Sequence, residues 1–146
     1  MWKLVPAFLA VAFLSGCQTI DDDAFPASSQ TTITSTTASA IAGDMASRLI
    51  EQLGGAARTT IVMNKPASDF ALALEAALKG WGYTVIDDTG VAAKSEKPIE
   101  LAYAIDDYDG QILARLTTPS LALGRIYTST SEGAIPTSPL SITQRK

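Results

Sequence analysis

Histidine is absent from the 146 residues of this chain. It is the usual general base of enzymes, the commonest metal ligand and the usual partner of a serine or cysteine nucleophile. The absence argues against the common hydrolase mechanisms and against a histidine-built metal site. Binding and structural roles are therefore the classes to consider first.

Cysteine and runs of positive charge are also scarce. Cys17 is the single cysteine, so the chain cannot form an internal disulfide. Eleven lysine and arginine residues against fifteen aspartate and glutamate residues give a net charge of −4, and no basic run is longer than the Arg145-Lys146 pair. A nucleic-acid-binding surface needs clustered positive charge. We therefore expect no direct contact with nucleic acid.

The chain lacks an apolar run long enough to cross a bilayer. Its N-terminal run, residues 4–14, has 11 residues, whereas a membrane-spanning helix needs about 20. Lys3 precedes the run and small residues follow it, which is typical of a secretory signal peptide. The run ends in Leu14-Ser15-Gly16-Cys17, which looks like a bacterial lipobox. An ordinary signal peptide, or a buried helix, with a chance cysteine is the alternative.

A lipobox implies that Cys17 receives a diacylglycerol on its thiol and, after cleavage behind Gly16, an acyl chain on its new amino group. Leu14, Ser15 and Gly16 are then the recognition sequence of signal peptidase II. Each buried methylene contributes about 0.8 kcal/mol, so two or three acyl chains form a lasting anchor. Gln18 stands where an aspartate favours inner-membrane retention. We therefore expect the periplasmic face of the outer membrane.

Four segments are predicted along the chain: a signal peptide (1–16), a lipid-anchored flexible tether (17–38), a globular domain (39–128) and a C-terminal tail (129–146). The tether is rich in serine and threonine and has no periodic apolar pattern, so it cannot bury enough surface to offset the entropy of ordering. Within it, the β-branched run 31–34 is a candidate for adding a strand to a partner's sheet.

The first half of the domain predicts two amphipathic helices. Apolar residues at every fourth position indicate a helix from near Ser39 to a stop at Gly54-Gly55. Ser68 caps a second helix, whose predicted buried face comprises Phe70, Leu74, Ala77, Leu78 and Trp81. Short strands over residues 59–63 and 83–86 flank the second helix, which favours a β-α-β unit.

The last third of the domain predicts an antiparallel meander. Alternating apolar residues indicate strands over residues 99–108, 111–116 and 121–128, and Asp109-Gly110 suits a hairpin turn. The fold class is therefore α+β, a small single domain with the order α-β-α-β-β-β and a C-terminal meander. For the tail, the sequence leaves both a bound extended strand and an irregular end open.

Asp106, Asp107 and Asp109 form a tight carboxylate cluster in the domain. Paired carboxylates perform acid–base chemistry when a cleft holds them, and an Asp-x-Asp-Gly fragment occurs in calcium loops. Here the cluster lies at a hairpin tip, where aspartate is common and solvated, and the glutamate of a calcium loop is missing. We expect no catalytic residue, no metal and no cofactor apart from the covalent lipid, and hence no enzyme.

Several long strings carry a resemblance to a known family, together with the lipobox. They are residues 38–45 (ASAIAGDM), 73–83 (ALEAALKGWGY), 110–116 (GQILARL), 123–125 (LGR) with Tyr127, and 138–141 (SPLS). In these strings the chain resembles the TrbH conjugal transfer lipoproteins of trb-type type IV secretion systems. The resemblance implies a component of the mating channel at the outer membrane, needed to pass plasmid DNA, and no catalytic residues.

Two functions are compatible with these features of the sequence. The first is a lipid-anchored structural component that binds other conjugation-channel proteins, with Trp81, Tyr83, Tyr108 and Tyr127 as candidate contact residues and no small-molecule substrate. The second is a periplasmic lipoprotein that binds a ligand or an envelope polymer, which needs a concave pocket. A looser analogy likens the element order to the first periplasmic domain of secretins, but fold does not establish function.

Overall fold

The computed structural model describes residues 29–30, 32–55, 59–64, 68–87 and 98–146. The predicted lipobox, Leu14 to Cys17, lies outside these residues, as do the remainder of the tether up to residue 28 and residues 88–97. Predictions made for those segments, and the division of the chain into four, stay predictions.

The described residues form two helices and eight strands. In chain order they are β1 (Ser29–Gln30), α1 (Ser35–Leu53), β2 (Thr60–Met63), α2 (Asp69–Gly80), β3 (Thr84–Asp87), β4 (Ile99–Tyr108), β5 (Gln111–Thr117), β6 (Leu121–Thr130), β7 (Gly133–Pro136) and β8 (Ser141–Gln144). Both helices and the predicted strands are present, so the α+β class is confirmed.

The strands form one mixed sheet in the order β3-β2-β4-β5-β6-β7. β2 runs parallel to both β3 and β4, and α2 connects β2 to β3, which confirms the β-α-β unit. From β4 onward neighbouring strands are antiparallel, as the predicted meander requires. The topology therefore joins a parallel β-α-β unit to an antiparallel meander through β4.

Strands β4 and β6 are each paired along one edge with two short strands. β2 pairs with the first part of β4, and β1 pairs with Ala104 and Ile105 further along the same strand. β8 pairs with residues 121–124 of β6, and β7 pairs with residues 127–130. The C-terminal segment, for which the sequence left two states open, is thus extended and paired within the domain.

Helix α1 begins at Ser35, earlier than the expected start near Ser39. Thr34 is the N-cap, since its side chain accepts a hydrogen bond from the backbone N–H of Thr37. The sequence did not reveal this cap because a run rich in serine and threonine is also typical of a loop. Ile33 packs against the core. The prediction that this run serves a partner's sheet is therefore wrong for Ile33 and Thr34, which are used inside the domain.

Helix α2 follows its sequence prediction except at its end. The Ser68 hydroxyl accepts from the N–H of Ala71 as the N-cap. Trp81, predicted on the buried face, is instead the C-cap residue and is 54% exposed. The prediction for Trp81 was wrong because the helix ends at Gly80, so the helical spacing no longer determines where the next side chain lies.

Both helices pack on one face of the sheet and form a single core with it. Phe70 of α2 meets Tyr103 of β4 with ring centroids 5.5 Å apart, and burial of each large apolar side chain contributes about 1.5–3 kcal/mol. The alternating apolar residues that predicted the meander strands are buried: Leu101, Tyr103, Ile105, Ile112, Ala114, Leu116, Leu121, Leu123 and Tyr127. Alternate residues of β4, β5 and β6 lie on the opposite face, here called the open face, which neither helix covers.

Among the described residues, no helix has the length and apolar content that crossing a membrane requires.

Candidate functional site

The three aspartates singled out by the sequence lie in or beside a hairpin turn. Asp109 and Gly110 have φ of 52° and 80°, the conformation of a tight turn between twisted strands. The Asp107 carboxylate accepts from the N–H of Gly110 at 3.0 Å, and Asp106 pairs with Arg115 at 2.7 Å. Within the described ranges, no group of three potential ligand side chains is arranged to hold a metal ion. The cluster is explained by turn geometry.

The four aromatic residues proposed as contacts divide into two buried and two exposed. Tyr83 is 3% exposed, and its hydroxyl donates to the carbonyl of Gly54 at 2.6 Å, which joins the start of β3 to the end of α1. Burial raises the pKa of Tyr83. Tyr127 is 1% exposed, whereas Trp81 and Tyr108 are 54% and 64% exposed. Only Trp81 and Tyr108 can therefore contact a partner protein while the core stays folded.

A polar cluster that the sequence did not reveal joins α1 to β6. The Tyr127 hydroxyl donates to Asp44 Oδ2 at 2.6 Å, and Arg125 Nη1 donates to the same oxygen at 2.9 Å. Arg125 Nε also donates to the carbonyl of Ser138. Helical spacing places Asp44 on the polar side of α1. No local sequence pattern indicates that its partners are Arg125 and Tyr127, about 80 residues later in the chain.

The surroundings of this cluster fix its protonation. Burial, reinforced by the hydrogen bond to the Asp44 carboxylate, raises the pKa of Tyr127 well above its ordinary value, while Arg125 opposes the shift. The phenol is therefore a neutral donor at physiological pH and a poor general acid. The side chains of Arg125 and Asp44 are only 17% and 26% exposed, so the pair is largely removed from water. We conclude that the cluster positions α1 on the sheet.

The open face carries an apolar patch at the end where the β4–β5 hairpin turns. Strand pairing places Leu113 of β5 directly beside Ile126 of β6. Two residues further along these strands, Tyr108 of β4 and Ile135 of β7 lie at the two ends of one row of paired residues that crosses four strands. Directly opposed residues of antiparallel strands lie on the same face. We call these four residues, Tyr108, Leu113, Ile126 and Ile135, the open-face patch.

The exposure of the patch distinguishes it from the core side of the same strands. Tyr108 and Ile135 are 64% and 54% exposed, and Leu113 and Ile126 are partly exposed. Sequence reasoning named Tyr108 as a contact candidate but missed the other three. They join it only through the strand register, which the sequence does not give across four strands.

Comparison with known proteins gives a family assignment. A sequence model of the family described as "Conjugal transfer protein TrbH" matches residues 19–146. The chain is also 60% identical over 147 residues to the "Probable conjugal transfer protein TrbH" of Sinorhizobium fredii (strain NBRC 101917 / NGR234), with 99% of each chain covered. The chain belongs to the TrbH family. This confirms the resemblance seen in the sequence.

TrbH membership identifies the chain as a component of conjugal transfer. The matched region begins at residue 19 and thus after the predicted lipobox. No solved structure matches the chain, so the likeness to the first periplasmic domain of secretins stays a prediction.

Proposed function

We propose that this TrbH-family protein is an outer-membrane lipoprotein that acts as a structural and interaction component of a conjugative type IV secretion channel. One observation carries the proposal: a lipobox-like string ending in the single Cys17 precedes a domain of a conjugal transfer family. The covalent lipid on Cys17 holds the domain at the periplasmic face of the membrane, and the domain binds other proteins of the mating channel.

Confinement is the physical mechanism of this role. A protein held at a bilayer surface meets its neighbours at a raised effective concentration, so a modest contact surface suffices for occupancy. The domain offers such a surface in the open-face patch, with exposed aromatic and aliphatic side chains. The role needs no bound cofactor and no catalytic residue.

Replacement of the lipidated cysteine tests the anchor. In donor cells that express the protein at native level, Cys17→Ser should abolish metabolic palmitate labelling, release the protein from the membrane fraction and lower the transfer frequency. Thr19→Ser, two positions away, is the matched control and should leave all three unchanged. Full conjugation by Cys17→Ser, or an unlabelled wild-type protein, would contradict the proposal.

The sorting residue gives a separate test of the membrane. Gln18→Asp should retain palmitate labelling but move the protein from outer-membrane to inner-membrane fractions on a density gradient. If the labelled variant and the wild type sediment together, the outer-membrane assignment is wrong while the lipid anchor stands.

The shallow groove beside the start of α1 does not favour the competing role in ligand binding. It is open to solvent and is lined by Ser35, Thr36, Ser39, Ala40 and Glu132. A ligand site of the usual kind is concave and mostly apolar, with a few converging polar groups. Because the groove is so open, it would enclose little of a small ligand.

A further inference from the structure

We propose that the open face of the sheet binds a second copy of this protein through a two-fold contact. The inference rests on the proposed role as an interaction component, and it names a second copy as one neighbour that the confined domain binds. Its basis is the distribution of side-chain size over the face. One half carries large side chains and the other half carries small ones, so the surface can fit a copy of itself.

The large half of the face is the open-face patch. Leu113 and Ile126 are paired neighbours on β5 and β6, and Tyr108 and Ile135 lie in the next row towards the β4–β5 hairpin. Tyr108 and Ile135 are more than half exposed, and the other two are partly exposed. The side chains of this half therefore project from the sheet and are accessible to a partner.

The small half lies beside the patch, towards the β5–β6 turn. Ala104 and Gly124 are both paired with Arg115 in one row, and Ala122 lies two residues from Gly124 on β6. Ala104, Gly124 and Ala122 are partly exposed. Ala102 continues this half but is only 3% exposed, so it adds little contact area. The surface is therefore lower over the small half than over the patch.

A two-fold axis that runs across the strands, between the two halves, makes them complementary. Rotation about this axis keeps each residue over the same strand and exchanges the halves. Ile126 of one copy then lies over Gly124 of the other, and Thr128 lies over Ala122. Two sheets pack face to face in this way about 10 Å apart, with strand directions within about 30° of each other. A second copy carries both halves already, whereas an unrelated protein would have to supply them.

The charges at the centre of the face favour self-contact. Asp106 and Arg115 form an ion pair at 2.7 Å, and they lie in adjacent rows on the two sides of the axis. The rotation brings each Asp106 next to Arg115 of the other copy, so opposite charges meet. At the margin it brings Asp109 towards Glu100, and this opposes the contact only weakly because both residues are exposed.

The size of the face indicates a weak dimer. Four strands about 4.8 Å apart, over about seven residues of about 3.4 Å each, cover roughly 450 Å². The contact therefore buries roughly 900 Å² in total, whereas specific stable interfaces bury about 1,200–2,000 Å². Two copies would separate in dilute solution. Confinement by the lipid anchor raises their effective concentration, so the dimer forms at the membrane.

Site-specific photo-crosslinking in donor cells tests the contact on the full-length protein. A photo-reactive amino acid replaces Ile126, and in a matched control it replaces Leu72, an exposed residue of α2. Position 126 should give a crosslinked dimer, joined to the tryptic peptide 116–125 of the second copy, which contains Gly124. The control position should give at least about tenfold less dimer. A product with another protein, a dimer joined through a different peptide, or no dimer above the control would overturn the proposal.

Filling the space over Gly124 tests the fit of the two halves. A Cβ at this position would make ordinary contacts, the nearest at 3.7 Å to Arg115 Cγ, and valine is favoured in strands, so the fold should be kept. Gly124→Val should lower the dimer yield from position 126 at least about tenfold. Ser129→Val, on the opposite side of β6, should leave the yield unchanged. An unchanged yield in Gly124→Val would overturn the proposal.

Thermal unfolding of both variants checks that the domain is intact. If Gly124→Val lowers the unfolding midpoint, Gly124→Ala provides the same test with a smaller side chain. Its dimer yield should fall about threefold, since one methyl group displaces the opposing Ile126 less. A yield equal to that of the wild type would then overturn the proposal.

Palmitate labelling separates the failure of this contact from the failure of the anchor. Cys17→Ser should lower the dimer yield from position 126 about tenfold, because the released protein is no longer confined. A labelled wild-type protein that gives no dimer would mean that the anchor stands and the two-fold contact is wrong. An unlabelled wild-type protein that still gives the dimer through residues 116–125 would mean that the contact stands and the anchor is wrong.

Discussion

The Tyr127 hydroxyl and the Arg125 guanidinium both meet one carboxylate oxygen of Asp44, and this contact determines how α1 is held on β6. Loss of one partner from such a largely desolvated group is costly because little water can reach the remaining polar atoms to replace it. Asp44 illustrates what the sequence can predict about a single residue and what it cannot. Helical spacing identifies it as a polar position, but only the folded chain brings Arg125 and Tyr127 to it.

Tyr127→Phe should change the dependence of stability on pH. At neutral pH the variant should lose about 1 kcal/mol of unfolding free energy, since one hydrogen bond to Asp44 disappears. The raised pKa of Tyr127 means that the folded protein keeps a proton that the unfolded chain releases above about pH 10. Wild-type stability therefore falls as pH rises beyond that point, and the variant should fall less steeply, by up to about 1.4 kcal/mol per pH unit.

Urea unfolding from pH 7 to 11 measures this effect. Tyr83 and Tyr103, whose pKa values burial also raises, are present in both proteins, so the difference in slope reports Tyr127 alone. Tyr108→Phe is the matched control because its side chain is 64% exposed, and its curve should follow the wild type. Parallel curves for Tyr127→Phe and wild type above pH 10 would show that the phenol is not held as described.

At the scale of elements, the parts predicted from sequence are those with local signals. Periodicity placed both helices, alternation placed the meander strands, and Asp109-Gly110 fixed the hairpin. The sequence does not predict the start of α1, where the Thr34 N-cap lies within a serine and threonine run, or the strands β7 and β8. Their states depend on non-local partners, namely the Gly133 carbonyl that accepts from the Thr37 hydroxyl and the edge of β6.

The N-cap of α1 provides a test of its observed start. Thr34→Ala should lower the free energy of unfolding by about 1 kcal/mol, because the N–H of Thr37 loses its side-chain acceptor. Thr36→Ala, within the first turn and exposed, is the control and should be close to neutral, since alanine is a better helix former than threonine. Chemical denaturation of both variants measures the difference. Equal effects would indicate that the helix does not begin at Ser35.

At the scale of the whole molecule, the described residues form a sheet with both helices on one face and the open face on the other. The register of strand pairing determines which residues lie side by side on the open face. The sequence indicates which residues of a single strand share a face, but not how four strands are aligned with one another. The patch could therefore be predicted only in part, through Tyr108. Because β1 is paired with β4, the segment between Cys17 and Ser29, 12 positions apart, limits the distance of the domain from a lipid anchor to about 40 Å.

The length of that segment should influence transfer in a graded way. An insertion of glycine and serine that doubles residues 18–28 should lower the effective concentration of the domain at its partner about threefold, since it falls roughly as the −3/2 power of length. Quantitative mating assays at matched expression measure the change, with an insertion of the same composition after Lys146 as the control. A loss of several orders of magnitude would mean that the segment itself makes specific contacts.

The way β6 is bordered has a consequence for the contacts that copies of the protein can make with one another. Ten residues of β6 would form a long exposed edge able to recruit strands from neighbouring copies, but two strands of four residues each divide that edge. Pro136 ends the first and Pro139 precedes the second, and proline cannot donate to a further strand. The two C-terminal strands thus leave no long unpaired edge along β6 for edge-to-edge pairing between copies.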